Sequence, residues 1–95
     1  MKLITITEEN HGFLGVATTP KAAMQYLVNY GWLDRGTEFY DEETEAWYTL
    51  EHIFNSMGIE LTDENIIEWG VSKFDDWRVW DGFLYFGETE LHGEV

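Results

Sequence analysis

The chain has 95 residues, 44% of them hydrophobic and 17% aromatic, and its 19 acidic and 5 basic side chains give a formal net charge of −14. This composition suits one small domain with an aromatic core and argues against intrinsic disorder. The negative charge argues against direct binding to nucleic acid or to an anionic membrane, because both would repel it. No apolar run could span a bilayer, the first ten residues lack a signal-peptide core, and Cys is absent. We expect a single acidic domain over residues 1–95, located in the cytoplasm.

The first predicted element is a β-hairpin. Residues 2–7 (KLITIT) alternate with a period of two, which is typical of a strand with two different faces. Turn-forming residues follow at positions 9–12. Residues 13–18 are then predicted to be the return strand, in which Gly15 marks a bulge.

Two helices are predicted next. Thr19 is a candidate N-cap, and it precedes a helix predicted over residues 20–30. An extended piece is placed around residues 37–39. Apolar residues at steps of three, four and three then predict a longer helix over residues 41–57, which Gly58 ends. The apolar face of that helix comprises Trp47, Leu50, Phe54 and Met57.

The last third of the chain predicts a short helix and a strand. Thr62 is the N-cap of a helix that Gly70 ends, and a further helical turn is placed near residues 73–77. A turn at residues 81–82 leads into a strand predicted over residues 83–92. The order β-β-α-α-β predicts an α+β fold, with a three-stranded antiparallel sheet and helices packed on one face.

The excess negative charge is concentrated in the middle of the chain. Between residues 34 and 76, thirteen acidic side chains stand against two basic ones. Acidic residues stabilise helix N-termini, but this accounts for only part of the excess, and solubility asks for a net charge of magnitude about 2–8 in a small domain. We therefore interpret two stretches as partner-binding surfaces. They comprise Glu38, Asp41, Glu42, Glu43 and Glu45 in the first, and Glu60, Asp63, Glu64 and Glu68 in the second.

A rigid acidic surface has an obvious class of partner. Arginine and lysine side chains that line a DNA-binding groove contact carboxylates much as they contact phosphates. An acidic domain can therefore occupy such a groove in place of DNA, and opposite charges make the association fast and salt-sensitive. Tyr40 lies inside the first stretch and is predicted to be an aromatic anchor of the complex.

In size, charge and aromatic content the chain resembles the small acidic inhibitors that phages and mobile elements direct against host defence nucleases. These are anti-restriction and anti-CRISPR proteins of the DNA-mimic type. The likeness is one of class and rests on no signature motif, so it transfers no residue roles. It implies a partner, which is a basic nucleic-acid-handling protein such as a defence nuclease in the cytoplasm of the host cell.

Enzymatic chemistry is not indicated by any motif. His11, His52 and His92 show none of the spacings typical of a metal site, and an EF-hand loop, a P-loop and a serine-nucleophile motif are all missing. We therefore expect no catalytic residues, no metal and no cofactor.

Two other functions remain open. One is an immunity or antitoxin protein that blocks a basic toxin enzyme. The other is a non-inhibitory assembly module that binds a second copy or another subunit. Its apolar interface would comprise Trp32, Trp77, Trp80 and Phe83.

Overall fold

The structure is a computed structural model that describes residues 2–90, and it contains five strands and four helices in that part of the chain. None of these helices is long and apolar enough to cross a lipid bilayer. In chain order the elements are β1 (Lys2–Glu8), β2 (Gly12–Ala17), α1 (Pro20–Asn29), β3 (Glu38–Asp41), β4 (Ala46–Thr49), α2 (Leu50–Met57), α3 (Asp63–Ser72), α4 (Trp77–Trp80) and β5 (Leu84–Glu90).

The main sheet has three antiparallel strands in the order β2-β1-β5, which confirms the predicted α+β fold. β1 is central, and its Ile6 lies opposite Gly15 on one side and Phe86 on the other. Ile6 and Leu84 are buried on the face that packs against α1 and α4. The predicted last strand is confirmed over β5, while residues 91–92 of that prediction lie outside the described part of the chain.

The predicted bulge in β2 is present beside Gly15. Phe13 and Gly15 pair with two consecutive residues of β1, so Leu14 between them is an extra residue and the register shifts there. The Tyr26 hydroxyl of α1 donates a hydrogen bond to the Leu14 carbonyl oxygen over 2.9 Å. This contact attaches the first helix to the edge strand β2.

Three predicted helix caps are confirmed, because they depend only on neighbouring residues. The hydroxyl oxygens of Thr19 and Thr62 each accept a hydrogen bond, over 3.1 Å, from the N–H three residues later. Gly58 has a φ of 70°, the left-handed conformation that ends α2 as predicted.

The prediction of one helix over residues 41–57 is wrong in its first half. Residues 38–49 form a second, two-stranded sheet, β3 paired with β4, and only Leu50–Met57 is helical. The four apolar residues at helical spacing do not form one buried face. Leu50 and Phe54 are buried, whereas Trp47 and Met57 are exposed. The acidic residues near Asp41 therefore lie in a hairpin, where no helix dipole stabilises them.

The prediction that Gly70 ends a helix is also wrong, since α3 continues to Ser72. Gly70 is buried where α3 crosses α1, and a Cβ atom at this position would overlap the side chain of Met24. Its role is thus close helix packing. The further helical turn, predicted near residues 73–77, is found one turn later as α4.

Candidate partner-binding site

The first acidic stretch forms a β-hairpin, here called the acidic hairpin, which consists of β3, β4 and the connecting residues 42–45. In its register Phe39 lies opposite Tyr48, and Tyr40 lies opposite Trp47. Since successive side chains of a strand point to opposite faces, one aromatic pair faces the protein and the other faces away from it. Phe39 accordingly is buried, with its ring centroid 5.4 Å from that of Trp69.

The outward pair, Tyr40 and Trp47, is an exposed aromatic patch within the acidic hairpin. Their ring centroids are 5.4 Å apart, and the two side chains are 40% and 58% exposed. Such cross-strand pairs hold each other in place, which lowers the entropy that a binding partner must remove. Sequence reasoning selected Tyr40 but assigned Trp47 to a helix. The missed signal is two aromatic dipeptides, at 39–40 and 47–48, on either side of a polar stretch.

The acidic side chains of this hairpin are exposed or half-buried. Within residues 2–90, none of them forms an ion pair. Asp41 accepts a hydrogen bond from the Glu43 N–H over 2.9 Å, which fixes the start of the turn. The aromatic patch therefore shares its hairpin with five acidic side chains. The acidic side chains are Glu38, Asp41, Glu42, Glu43 and Glu45.

Two basic residues line a cleft of about 500 Å³ between this hairpin and the helices, together with Glu42 and Glu43. These basic residues are Lys73 and Arg78. Arg78 forms an ion pair with Asp76, with 3.0 Å between Arg78 Nε and Asp76 Oδ1. The hydrogen bond and charge of Asp76 raise the pKa of Arg78, and the charges of Glu42 and Glu43 raise it further. The negative charge of the hairpin is thus partly compensated by basic side chains on the side that lines this cleft.

Glu45, at the end of the hairpin turn, is strained. Its φ of 54° lies in the left-handed region, which costs a residue with a Cβ atom roughly 1 kcal/mol. We expect Glu45→Gly to raise the free energy of unfolding by about 1 kcal/mol relative to Glu45→Ala, measured by urea denaturation. Both variants lose the same carboxylate, so a difference between them reports on the backbone. Equal stabilities would show that the turn is unstrained.

The second acidic stretch lies at the start of α3 and remains separate from the hairpin. Asp63 and Glu64 are in the first turn of α3, as predicted, and Glu68 follows Glu64 by one turn on the exposed side of the helix. Glu60 precedes the helix, and its backbone carbonyl accepts a hydrogen bond from the Asn65 side chain. The cleft beside the hairpin includes none of these four acids. Of the two acidic stretches, only the hairpin contains exposed aromatic rings.

A buried carboxylate occurs outside both stretches. Glu8 is 5% exposed, and one of its oxygens contacts His11 Nδ1 at 2.6 Å, the His11 N–H at 2.7 Å and the Asn10 N–H at 2.9 Å. Burial raises the pKa of Glu8, but the hydrogen bonds from His11 and Asn10 together outweigh it and bring the pKa below the ordinary value of 4.5. The Glu8 carboxylate thus stabilises the β1–β2 turn. A variant at Glu8 would therefore change the fold as well as the surface charge.

Because its pKa is lowered in the folded state, Glu8 stabilises the fold when ionised. This contribution is complete above pH 4.5 and is lost as the pH falls through the lowered folded-state value. We expect the difference in unfolding free energy between the wild type and Glu8→Gln to shrink from pH 6 to pH 3. Taking this difference cancels the other carboxylates, whose repulsion also changes with pH. A constant difference, measured by denaturation at each pH, would contradict the assignment.

The four aromatic residues of the assembly-module interpretation do not form one surface, so the predicted interface is wrong, while the assembly-module function itself stays a prediction. Trp80 is 2% exposed in the core, and its indole N–H donates to the Lys73 carbonyl oxygen over 2.9 Å. Trp32 is half-buried beside His11, and Phe83 is half-buried against Phe39. Only Trp77 of the four is largely exposed, at 66%.

Across residues 2–90, His, Asp and Glu side chains form no group of three that could hold a metal ion. His52 stacks on Tyr48 at a centroid distance of 5.0 Å, and His92 lies outside the described residues.

Comparison of the chain with known protein families, with curated proteins and with solved structures gives no match.

Proposed function

We propose that the chain is an inhibitor of a host defence nuclease, of the anti-CRISPR or anti-restriction type, and that it acts in the cytoplasm of the host cell. The acidic hairpin binds the basic nucleic-acid-binding surface of the nuclease and blocks DNA binding or cleavage. The chain has no catalytic role in this proposal. Its partner is a protein with arginine and lysine side chains arranged to hold a polyanion.

The main support is the exposed pair of Tyr40 and Trp47 on the hairpin that carries five carboxylates. Interfaces derive most of their affinity from a few aromatic or arginine side chains that lose contact with water, while the surrounding charges steer association. Carboxylates alone would give weak, salt-sensitive attraction. The aromatic pair adds apolar area for a partner to cover, and arginine side chains stack well on such rings.

A second support is that the hairpin is held firmly. Phe39, on the inner face, contacts Trp69, Trp80 and Phe83 edge to face, at centroid distances of 5.4–6.0 Å. Edge-to-face aromatic pairs contribute about 0.5–1.5 kcal/mol each beyond their buried area. The carboxylates and rings on the outer face are therefore presented in a fixed arrangement, and little order has to be created on binding.

The test uses purified RNA-guided and restriction nucleases with a labelled target duplex. We expect the chain to inhibit duplex binding or cleavage by one of them, and to do so about tenfold less effectively at 300 mM than at 50 mM NaCl. The double variant Glu42→Gln/Glu43→Gln should weaken inhibition about tenfold. The control Glu9→Gln/Glu51→Gln, which changes the net charge equally, should leave it within about twofold.

Equal losses in the two double variants would contradict a localised site and leave only a general effect of net charge. Failure to inhibit any nuclease in the panel would contradict the proposed class of partner. Gel mobility of the duplex, followed separately from its cleavage, shows which of the two steps is blocked.

A further inference from the structure

The main sheet has two edges, and they differ in how well they are protected. The β2 edge is interrupted by the bulge at Leu14, whose carbonyl oxygen is already bonded to Tyr26. β5 instead pairs with β1 in an unbroken register from Leu84 to Glu90. Among residues 2–90, no strand pairs with the outer edge of β5. Natural sheets usually protect such an edge with a bulge, a proline or charged side chains. β5 has no bulge and no proline, and its charged residues, Glu88 and Glu90, are both acidic.

The direction of the backbone groups of β5 follows from one hydrogen bond. The Glu9 N–H donates to the Phe83 carbonyl oxygen over 3.0 Å, so residue 83 bonds toward β1. In an antiparallel pair, hydrogen-bonded and non-bonded positions alternate. Tyr85 and Gly87 therefore also bond to β1, whereas the N–H and C=O groups of Phe86 and Glu88 point to the outer edge.

A groove of about 710 Å³, here called the edge groove, lies between β5 and the α3–α4 segment and extends past β5 to residues 2–4 of β1, Thr18 and Pro20. Aromatic side chains line it, including Phe74, which contacts Phe86 at a centroid distance of 4.9 Å. Trp77, the largely exposed aromatic residue of α4, also lines it. The side chains of such a groove are suited to hold every second residue of an added strand.

The charges of the edge groove are mainly negative. Asp75, Asp81 and Glu88 line it, and the one basic side chain there, Lys2, pairs with Glu88 at 3.7 Å. That ion pair is largely exposed on both sides and contributes little. An added strand with basic side chains would be attracted, whereas a second copy of this chain, with a net charge of −14, would be repelled.

We propose that the edge groove binds an extended segment of a partner protein in which lysine or arginine alternates with apolar residues. The segment adds a fourth strand to the sheet beside β5, bonds to the backbone of Phe86 and Glu88, and covers Trp77. This surface shares no residue with the cleft of the acidic hairpin. The inference therefore does not depend on the proposed function.

The probe is a nine-residue peptide, capped at both ends, in which every second residue is lysine and the others are valine or threonine. A control peptide has glutamate in place of each lysine. Amide hydrogen exchange of the full chain is followed by NMR. We expect saturating lysine peptide to slow exchange at Phe86 and Glu88 about tenfold or more, with Tyr85 and Gly87 unchanged. The glutamate peptide should bind at least about tenfold more weakly.

A pair of matched variants locates the site. Trp77→Ala should weaken binding of the lysine peptide about tenfold, while Trp47→Ala, which removes a similarly exposed ring from the acidic hairpin, should leave it unchanged. Three results would overturn the proposal: equal binding of the two peptides, no selective slowing at Phe86 and Glu88, or slowing that appears without peptide as the protein concentration rises. The last would identify a second copy as the occupant.

Discussion

Replacement of Trp47 by alanine is expected to weaken binding to the nuclease that the chain is proposed to inhibit about 30-fold. Trp47 is 58% exposed and lies against Tyr40 in the acidic hairpin, so it is available to a partner and makes no contact that the core needs. A tryptophan at the centre of an interface commonly contributes about 2 kcal/mol or more on truncation, which corresponds to this loss of affinity. Binding is measured by competition with labelled duplex DNA for the nuclease.

The matched control is Trp77→Ala, which removes an equally large and similarly exposed ring from the edge groove. It should leave nuclease binding within about threefold, and both variants should retain the wild-type unfolding free energy to within about 0.5 kcal/mol. Equal losses of affinity in both variants would show that the hairpin is not the site. An unchanged affinity in Trp47→Ala would show that the carboxylates act without an aromatic anchor.

Replacement of Trp80 by alanine is expected to have the largest effect on stability, a loss of roughly 3–5 kcal/mol in the free energy of unfolding. The ring is 2% exposed and lies edge to face against Phe39, Trp69 and Phe86, at centroid distances of 5.4–5.8 Å. Its removal leaves a cavity and takes one of two hydrogen bonds from the Lys73 carbonyl oxygen, which still accepts from the Asp76 N–H. Since small domains are stable by about 5–15 kcal/mol, much of the total is lost.

The loss in Trp80→Ala is measured by urea denaturation. Trp80→Phe serves as the control, because it keeps most of the packing and loses the indole hydrogen bond. We expect this variant to cost less than half as much. A cost below about 1 kcal/mol for Trp80→Ala would contradict the central place of this ring. Because Phe39 rests on Trp80, the destabilised variant should also lose the fixed position of the acidic hairpin.

The acidic hairpin shows where sequence reasoning failed and why. Its acidic residues and Tyr40 are exposed or half-buried, since strong charge and solvent exposure go together, and their role in binding stays a prediction. Its conformation was predicted wrongly, because Trp47, Leu50, Phe54 and Met57 recur at helical spacing. That spacing spans the end of β4 and the whole of α2, two elements that bury different faces. Local periodicity could not reveal the boundary between them.

Local sequence determined the features that need only neighbouring residues. The threonine caps of α1 and α3, the left-handed glycine after α2 and the alternation of β1 all act within a few residues of themselves, so the pattern was sufficient to predict them. The net charge of −14 is likewise a property of the sequence alone.

Only the tertiary structure decided which aromatic residues are core and which are surface. Phe39 and Tyr40 are neighbours of similar size, yet Phe39 is buried because Trp69, Trp80 and Phe83 come to its side of the strand from distant parts of the chain. The same holds for Trp77 and Trp80, the first and last residues of α4, of which only Trp80 is buried. Burial depends on what packs against a side chain, and the contacts that bury these rings join residues far apart in sequence.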